Sequence, residues 1–276
     1  MDIRRVTHED VDEIVAFTEG TFEWGDYVPD MISSWVDDRD SLVVVADNGS
    51  EIAGVGRVML MSPSEAWSHA VRVHPDHRGH GIAGDLLDTM TAWCFKRGVS
   101  IIRLLIDDTN KASKRHVTKT GFRLVATPMH ASREIGGTTP NPDGNGGRRT
   151  SDVVPARRVK SADAAMLAAA WPSSECGRAM RTLVATGWQF ARLTDEVAEE
   201  AARSGGLWEI GSSWAVTTLN DATFDVALLD SDPADALGAI RALIDLAKTE
   251  QAERFGMWIA DIEWLTQAAA LAGCDL

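Results

Sequence analysis

The chain has 276 residues, 45% of them hydrophobic and 25% charged, which is enough for one large domain or two of ordinary size. No apolar run approaches the roughly 20 residues that cross a bilayer, and a formal charge of -14 excludes generic binding to a nucleic-acid backbone, which needs an electropositive surface. Cys94, Cys176 and Cys274 are odd in number and far apart, which excludes a disulfide framework and a thiolate zinc site.

The first residues, Met1-Asp2-Ile3-Arg4-Arg5-Val6, lack the apolar stretch of a secretory signal, so a cytoplasmic location is expected. Ile3 to Val6 reads as a strand, Asp10 to Phe17 as a helix with polar residues at its start, and Val28 to Val36 as a second helix. Leu42–Ala46, Ile52–Met61 and Ala66–His74 then read as three strands, the first two joined by the hairpin turn Asp47-Asn48-Gly49. A glycine loop follows, then a helix from Ile82 to Lys96, a strand Ile101–Asp107, a short helix Lys111–Thr120 and a strand from Phe122. An antiparallel meander feeding a parallel strand-helix-strand unit is an α+β arrangement with a mixed sheet.

Residues 135–152 are dense in glycine, proline and asparagine and read as a linker. On either side the sequence repeats at offsets of about 152 to 154 residues: Arg4-Arg5-Val6 is answered by Arg157-Arg158-Val159, Ile106-Asp107 by Ala260-Asp261, and Gly121-Phe122 by Gly273-Cys274. The expected organisation is therefore two copies of one fold, in domains 1–134 and 153–276. In the second copy Phe224–Leu229 is the strand before the loop and Ala234–Ala247 the helix after it. Between them stands Asp230-Ser231-Asp232-Pro233-Ala234-Asp235, whose three carboxylates repel an anion. Asp outnumbers Glu and Arg outnumbers Lys, a surface expected of a protein that stays soluble in high salt.

The chemistry concentrates in Val71-Arg72-Val73-His74-Pro75-Asp76-His77-Arg78-Gly79-His80-Gly81-Ile82-Ala83, where a strand ends in a glycine loop that opens into a helix. Glycines let the backbone approach a ligand, and the first free amides of the helix point positive charge at it, so the segment is an anion cradle suited to a pyrophosphate. This segment resembles the GNAT superfamily of N-acetyltransferases, whose Arg/Gln-x-x-Gly-x-Gly/Ala signature is met by Arg78, Gly81 and Ala83. Val73 to Pro75, Asn110 and Gly121-Phe122 match further family positions, and the resemblance covers most of residues 1–130.

The resemblance implies two tandem GNAT-like folds and a reaction in which acetyl-coenzyme A (acetyl-CoA) gives its acetyl group to the amine of a small molecule. The alternatives are a protein amino-group acetyltransferase and a non-catalytic acyl-CoA sensor. It implies that Arg78, Gly79, His80, Gly81, Ile82 and Ala83 hold the pyrophosphate, that the strand edge at Val71, Arg72 and Val73 pairs with the pantetheine arm, and that Asn110 bonds to it. Lys114, beside Lys111, Arg115 and Lys119, is placed to meet the adenosine phosphates. Among mycothiol synthase-like enzymes, too, only one of two such domains is competent.

Glu65 and His69, on one face of the strand before the loop if alternation holds, are the candidate bases. The family's acid is a Tyr where this chain has Val117, so the proton for the leaving thiolate is expected from water, from His116 or from the only tyrosine, Tyr27. Glu23, Trp24 and Tyr27 form a wall suited to a cationic amine. The stretch Tyr27 to Trp35, with Val71 to Val73, loosely resembles histidine N-acetyltransferases, without naming a substrate. His74, His77 and His80 are spaced three apart but lack a complete ligand set, so no metal is expected. Neither a nucleic acid nor a membrane is an expected partner, and the state is monomer or homodimer.

Overall fold

The computed structural model describes residues 1–21, 25–136 and 154–276. Most of the linker read at 135–152, and the residues Glu23 and Trp24, lie outside the described residues. The chain forms two compact units, Met1–Arg123 and Leu124–Leu276. Among the described residues no helix is long and apolar enough to cross a membrane.

The first unit holds a five-stranded sheet in sequence order: β1 (Asp2–Arg5), β2 (Ser41–Asp47), β3 (Ile52–Leu60), β4 (Glu65–Val73) and β5 (Ile101–Arg103). The first four are antiparallel neighbours, while β4 and β5 run parallel. Helices α1 (Val11–Thr18) and α2 (Val28–Val36) join β1 to β2, α3 (Ile82–Phe95) joins β4 to β5, and α4 (Lys111–Lys119) follows β5. Alternation along the strands divides their side chains between two cores. Val43, Val45, Ile52 and Val55 pack with Ile14, Ile32 and Trp35 of α1 and α2. Leu42, Val44, Ala53 and Val58 pack on the other face with Ile82, Leu86, Met90 and Cys94, which recur along one side of α3. Gly54 allows that helix to lie close, because a Cβ there would come within 3.0 Å of both Ile82 Cγ2 and the Arg72 carbonyl.

The second unit begins with a strand that sequence reading assigns to the first copy. β6 (Pro128–Glu134) pairs antiparallel with the last strand of the second sheet, from Pro128 opposite Ala260 to Glu134 opposite Arg254. The division between units therefore falls at Arg123, ahead of the boundary read at 134. The strand read from Phe122 starts only at Pro128, and β5 ends at Arg103, short of the expected Asp107. Next come β7 (Ala156–Arg158), α5 (Ser161–Ala170), α6 (Glu175–Ala179), the hairpin β8 (Leu183–Thr186) and β9 (Gln189–Arg192), and α7 (Asp195–Arg203). β10 (Leu207–Ile210), β11 (Ser213–Asn220), β12 (Thr223–Asp230), α8 (Ala236–Thr249), β13 (Arg254–Ala260) and α9 (Glu263–Leu271) complete it.

Its main sheet runs β7-β10-β11-β12-β13-β6, so its first five strands repeat the order of the first unit. The parallel step recurs between β12 and β13. Even the turns after the last helices correspond. Gly121 and Gly273 both have positive φ, and the next residue's N–H closes on the carbonyl five residues back, Phe122 on Val117 at 3.0 Å and Cys274 on Ala269 at 3.1 Å.

Candidate active site

At the end of β4 the last rung is the His74 N–H on the Ala53 carbonyl at 2.9 Å. One short turn, Pro75–His77, leads into the glycine loop, where Gly79 and Gly81 take φ of 84° and 85°. These are left-handed values that a side chain resists, while the space where a Cβ would sit is open. From Gly79 to Ala83 no backbone N–H has an acceptor among the described residues, and the next, Gly84, closes on the Gly81 carbonyl at 2.8 Å. Consecutive free donors at the positive end of the 14-residue α3 are the chemistry a pyrophosphate requires. The Arg78 side chain turns back to the Val73 carbonyl at 3.3 Å. The three histidines have separate hydrogen-bond partners: His74 accepts from the Asp76 N–H, His77 meets Glu51, and His80 meets the His77 carbonyl. No cluster of metal-ligating side chains exists among the described residues.

β4 and β5 pair only from Glu65 opposite Ile101 to Trp67 opposite Arg103. Beyond that the outer edge of β4, from Ser68 through Val73, has no partner strand among the described residues, so its polar backbone can pair with an extended ligand. The same stretch carries a bulge. Ala70 has φ of 57°, and the register with β3 slips, so that Arg57 faces His69 while Val55 faces Arg72. Strict alternation would put His69, Val71 and Val73 on one face. The extra residue instead sends Val71 and Val73 into the core against α3 and brings Arg72 round beside His69.

On that face a connected group surrounds His69. The Tyr27 hydroxyl lies 3.2 Å from His69 Nδ1, their rings stack 9° apart in plane, and Trp35 stands edge-on to both. Arg57 Nη1 lies 3.4 Å from His69 Nε2 and Arg57 Nη2 donates to Asp38 at 2.6 Å, with the guanidinium over the Trp35 ring. A guanidinium only donates, so Nε2 accepts, and the neutral imidazole carries its proton on Nδ1 towards the tyrosine oxygen. Burial, reinforced by Arg57 and Arg72, pulls the His69 pKa down to about 4, and burial raises that of Tyr27. Arg72 holds the fully buried Asp26 carboxylate at 2.6 and 3.1 Å and covers the Tyr27 ring. Two arginine-carboxylate pairs thus flank a neutral histidine and a protonated phenol.

The other expected residues lie elsewhere. Glu65 is buried at the closed end of β4, its carboxylate bound by Arg103 at 2.9 Å, which leaves no free base there. His116 packs against Gly84 of α3, on the opposite side of the sheet from His69, with Nε2 buried and without a hydrogen-bond partner among the described residues. The Asn110 side-chain oxygen caps α4, accepting from the Ser113 N–H at 3.0 Å. Lys114 pairs with Asp108, while Lys111, Arg115 and Lys119 are exposed. Val117, in place of the family's tyrosine, packs into the core. Sequence reasoning missed Arg57, Asp26, Asp38 and Trp35. Arg57 carried a signal, as a lone cation in the apolar strand Ile52–Leu60.

Residues 8–122 match the model of the acetyltransferase (GNAT) family. Histidine N-acetyltransferase from Xenopus tropicalis is 30% identical over 125 residues, 43% of this chain and 36% of that protein. The enzyme of that name from Oreochromis niloticus is 30% identical over 126 residues, 43% of this chain and 37% of its own. The chain thus spans just over a third of the length of these curated relatives. The crystal structure of a Thermoplasma acidophilum protein assigned as an acetyltransferase superposes with a TM-score of 0.59 at 16% identity, covering 97% of this chain and 93% of that one. That likeness extends the fold across both units. Residues 8–122 thus match the acetyltransferase (GNAT) family both in the family model and in the signature, which stands on a strand-loop-helix.

Proposed function

We propose that the first unit is an acetyl-CoA-dependent N-acetyltransferase acting on the amine of a small molecule. The observation that carries this reading is the run of unpartnered N–H groups from Gly79 to Ala83 at the mouth of α3, beside the open edge of β4. The loop amides of Gly79 to Ala83 would hold the diphosphate, the Arg78 N–H being already given to the Pro75 carbonyl at 3.4 Å, and the Ser68–Val73 edge would hold the pantetheine. When bound, the thioester supplies the activated acetyl group. The chain positions the acceptor amine and moves protons.

Tyr27 replaces the missing tyrosine of α4. Its pKa lies above the ordinary value, so Oη keeps its proton at neutral pH, and the hydrogen bond from His69 Nδ1 leaves that proton directed away from the imidazole. Tyr27 can therefore give its proton to the departing sulfur while its oxygen takes one from the incoming nitrogen. His69 is a positioning residue in this scheme: a ring with pKa near 4 and both nitrogens engaged removes no proton from an ammonium at neutral pH.

The names of the relatives point to an amino acid as acceptor, with histidine the first to try. In the second unit the corresponding helix start is filled by the chain itself, since Asp232 Oδ1 accepts from the N–H groups of Ala234 and Asp235 at 2.8 and 3.1 Å. We read that unit as a degenerate copy that takes no cofactor. Thiol release from acetyl-CoA against a panel of amino acids and small amines tests the proposal. Turnover with a small amine is the expected result. Binding without turnover by any amine would return the protein to the class of sensors, and turnover restricted to peptides would make it a protein acetyltransferase.

A further inference from the structure

The second unit carries a cluster that the proposed transfer does not use. Trp188 stands in the turn of the β8–β9 hairpin and is 63% exposed, yet it is held in place, 5.0 Å from the Trp258 ring at 88° and 5.0 Å from His130. Trp258 is buried and touches His130 and Phe190 at 4.7 and 5.0 Å. Register explains the grouping, because Trp258 lies opposite His130 across β13 and β6, and Gly256 lies opposite Asp225 across β13 and β12.

Gly256 leaves a gap on this face. A Cβ there would stand 2.5 Å from Asp225 Oδ1 and 3.4 Å from His130 Nε2. Into that gap points a half-buried carboxylate that makes no hydrogen bond or ion pair with the described residues. Burial raises the Asp225 pKa and lowers that of His130, while His130 and Arg254 act on Asp225 only through their fields. Neutral imidazole beside anionic carboxylate leaves one negative charge facing indole faces, which attract cations through their quadrupoles.

We infer that His130, Trp188, Trp258 and Asp225 form a binding site for an organic ammonium ion in the second unit. The carboxylate balances the charge, the His130 lone pair accepts an N–H, and the indoles cover the alkyl groups. A ligand of this kind explains why a large indole is kept on the surface, while the glycine at 256 makes room for the Asp225 carboxylate. It is a site separate from the Tyr27–His69 centre, and it does not depend on acetyl transfer.

Calorimetry and saturation-transfer NMR on the full chain, with butylammonium and tetramethylammonium chlorides as probes and sodium chloride at equal concentration as control, test it. The expected result is saturable binding of an ammonium probe that sodium does not reproduce. Asp225→Asn and Trp188→Ala should each weaken it at least tenfold, with thermal transitions that show both variants folded. Trp188 is exposed, so its truncation leaves the core intact. Binding no stronger than the sodium control, or affinity unchanged in both variants, would overturn the inference.

Discussion

Tyr27 and His69 show how a role depends on neighbours that no local pattern announces. Both residues stand out in the sequence, one as the only tyrosine and the other as a histidine on the strand before the loop. What the sequence leaves hidden is the pair of guanidiniums that the fold brings to the imidazole, from β3 and from beyond the bulge. Removing the hydroxyl with Tyr27→Phe should lower kcat on the order of 10²-fold while leaving the KM for acetyl-CoA near wild type, as steady-state kinetics would show. The depressed His69 pKa also has a stability consequence. An unfolded histidine binds its proton near 6.5, whereas the folded one stays neutral down to about 4, so acid favours the unfolded state across that window. Wild-type stability should fall as pH drops from 6.5 towards 4, and His69→Gln should flatten that part of the profile in denaturant titrations. Glu65 is the converse case. Its position at a strand start was legible, but the Arg103 that claims it lies on a strand 38 residues away.

Elements were legible wherever short-range patterning determined them. The Asp47-Asn48-Gly49 hairpin is closed as its residues demand, with the Gly49 N–H on Asp47 Oδ1 at 2.7 Å. α3 buries the apolar stripe that its spacing predicts. β4 was legible only up to its bulge, because period-2 reading has no way to register an inserted residue. Ala70 sits at φ 57° there, so the backbone carries strain that a larger side chain would aggravate. Ala70→Val should cost about 1–3 kcal/mol in chemical unfolding and displace His69 from Tyr27. Ala70→Gly should fold normally. Equal stability of the Val variant and wild type would show that the slip of register is not built on this residue.

At the scale of the molecule, the internal repeat implied two copies of one fold, and the two sheets share the order of five strands. The one departure is β6, which the repeat assigned to the first copy and which completes the second sheet beside β13. Strand propensity specifies that residues 128–134 are extended, but not which edge they cover, since pairing is a tertiary choice. A fragment of residues 124–276 should therefore unfold cooperatively. One of residues 154–276 should lose that transition and aggregate, because the apolar edge of β13 is left without a partner. The central claim remains the diphosphate cradle of the first unit, and titration calorimetry of acetyl-CoA into the 276-residue chain tests it directly. Saturable binding that Gly81→Val abolishes is the result predicted, because valine cannot hold the φ of 85° on which the loop depends. No affinity in the wild-type protein, or undiminished affinity in the variant, would contradict it.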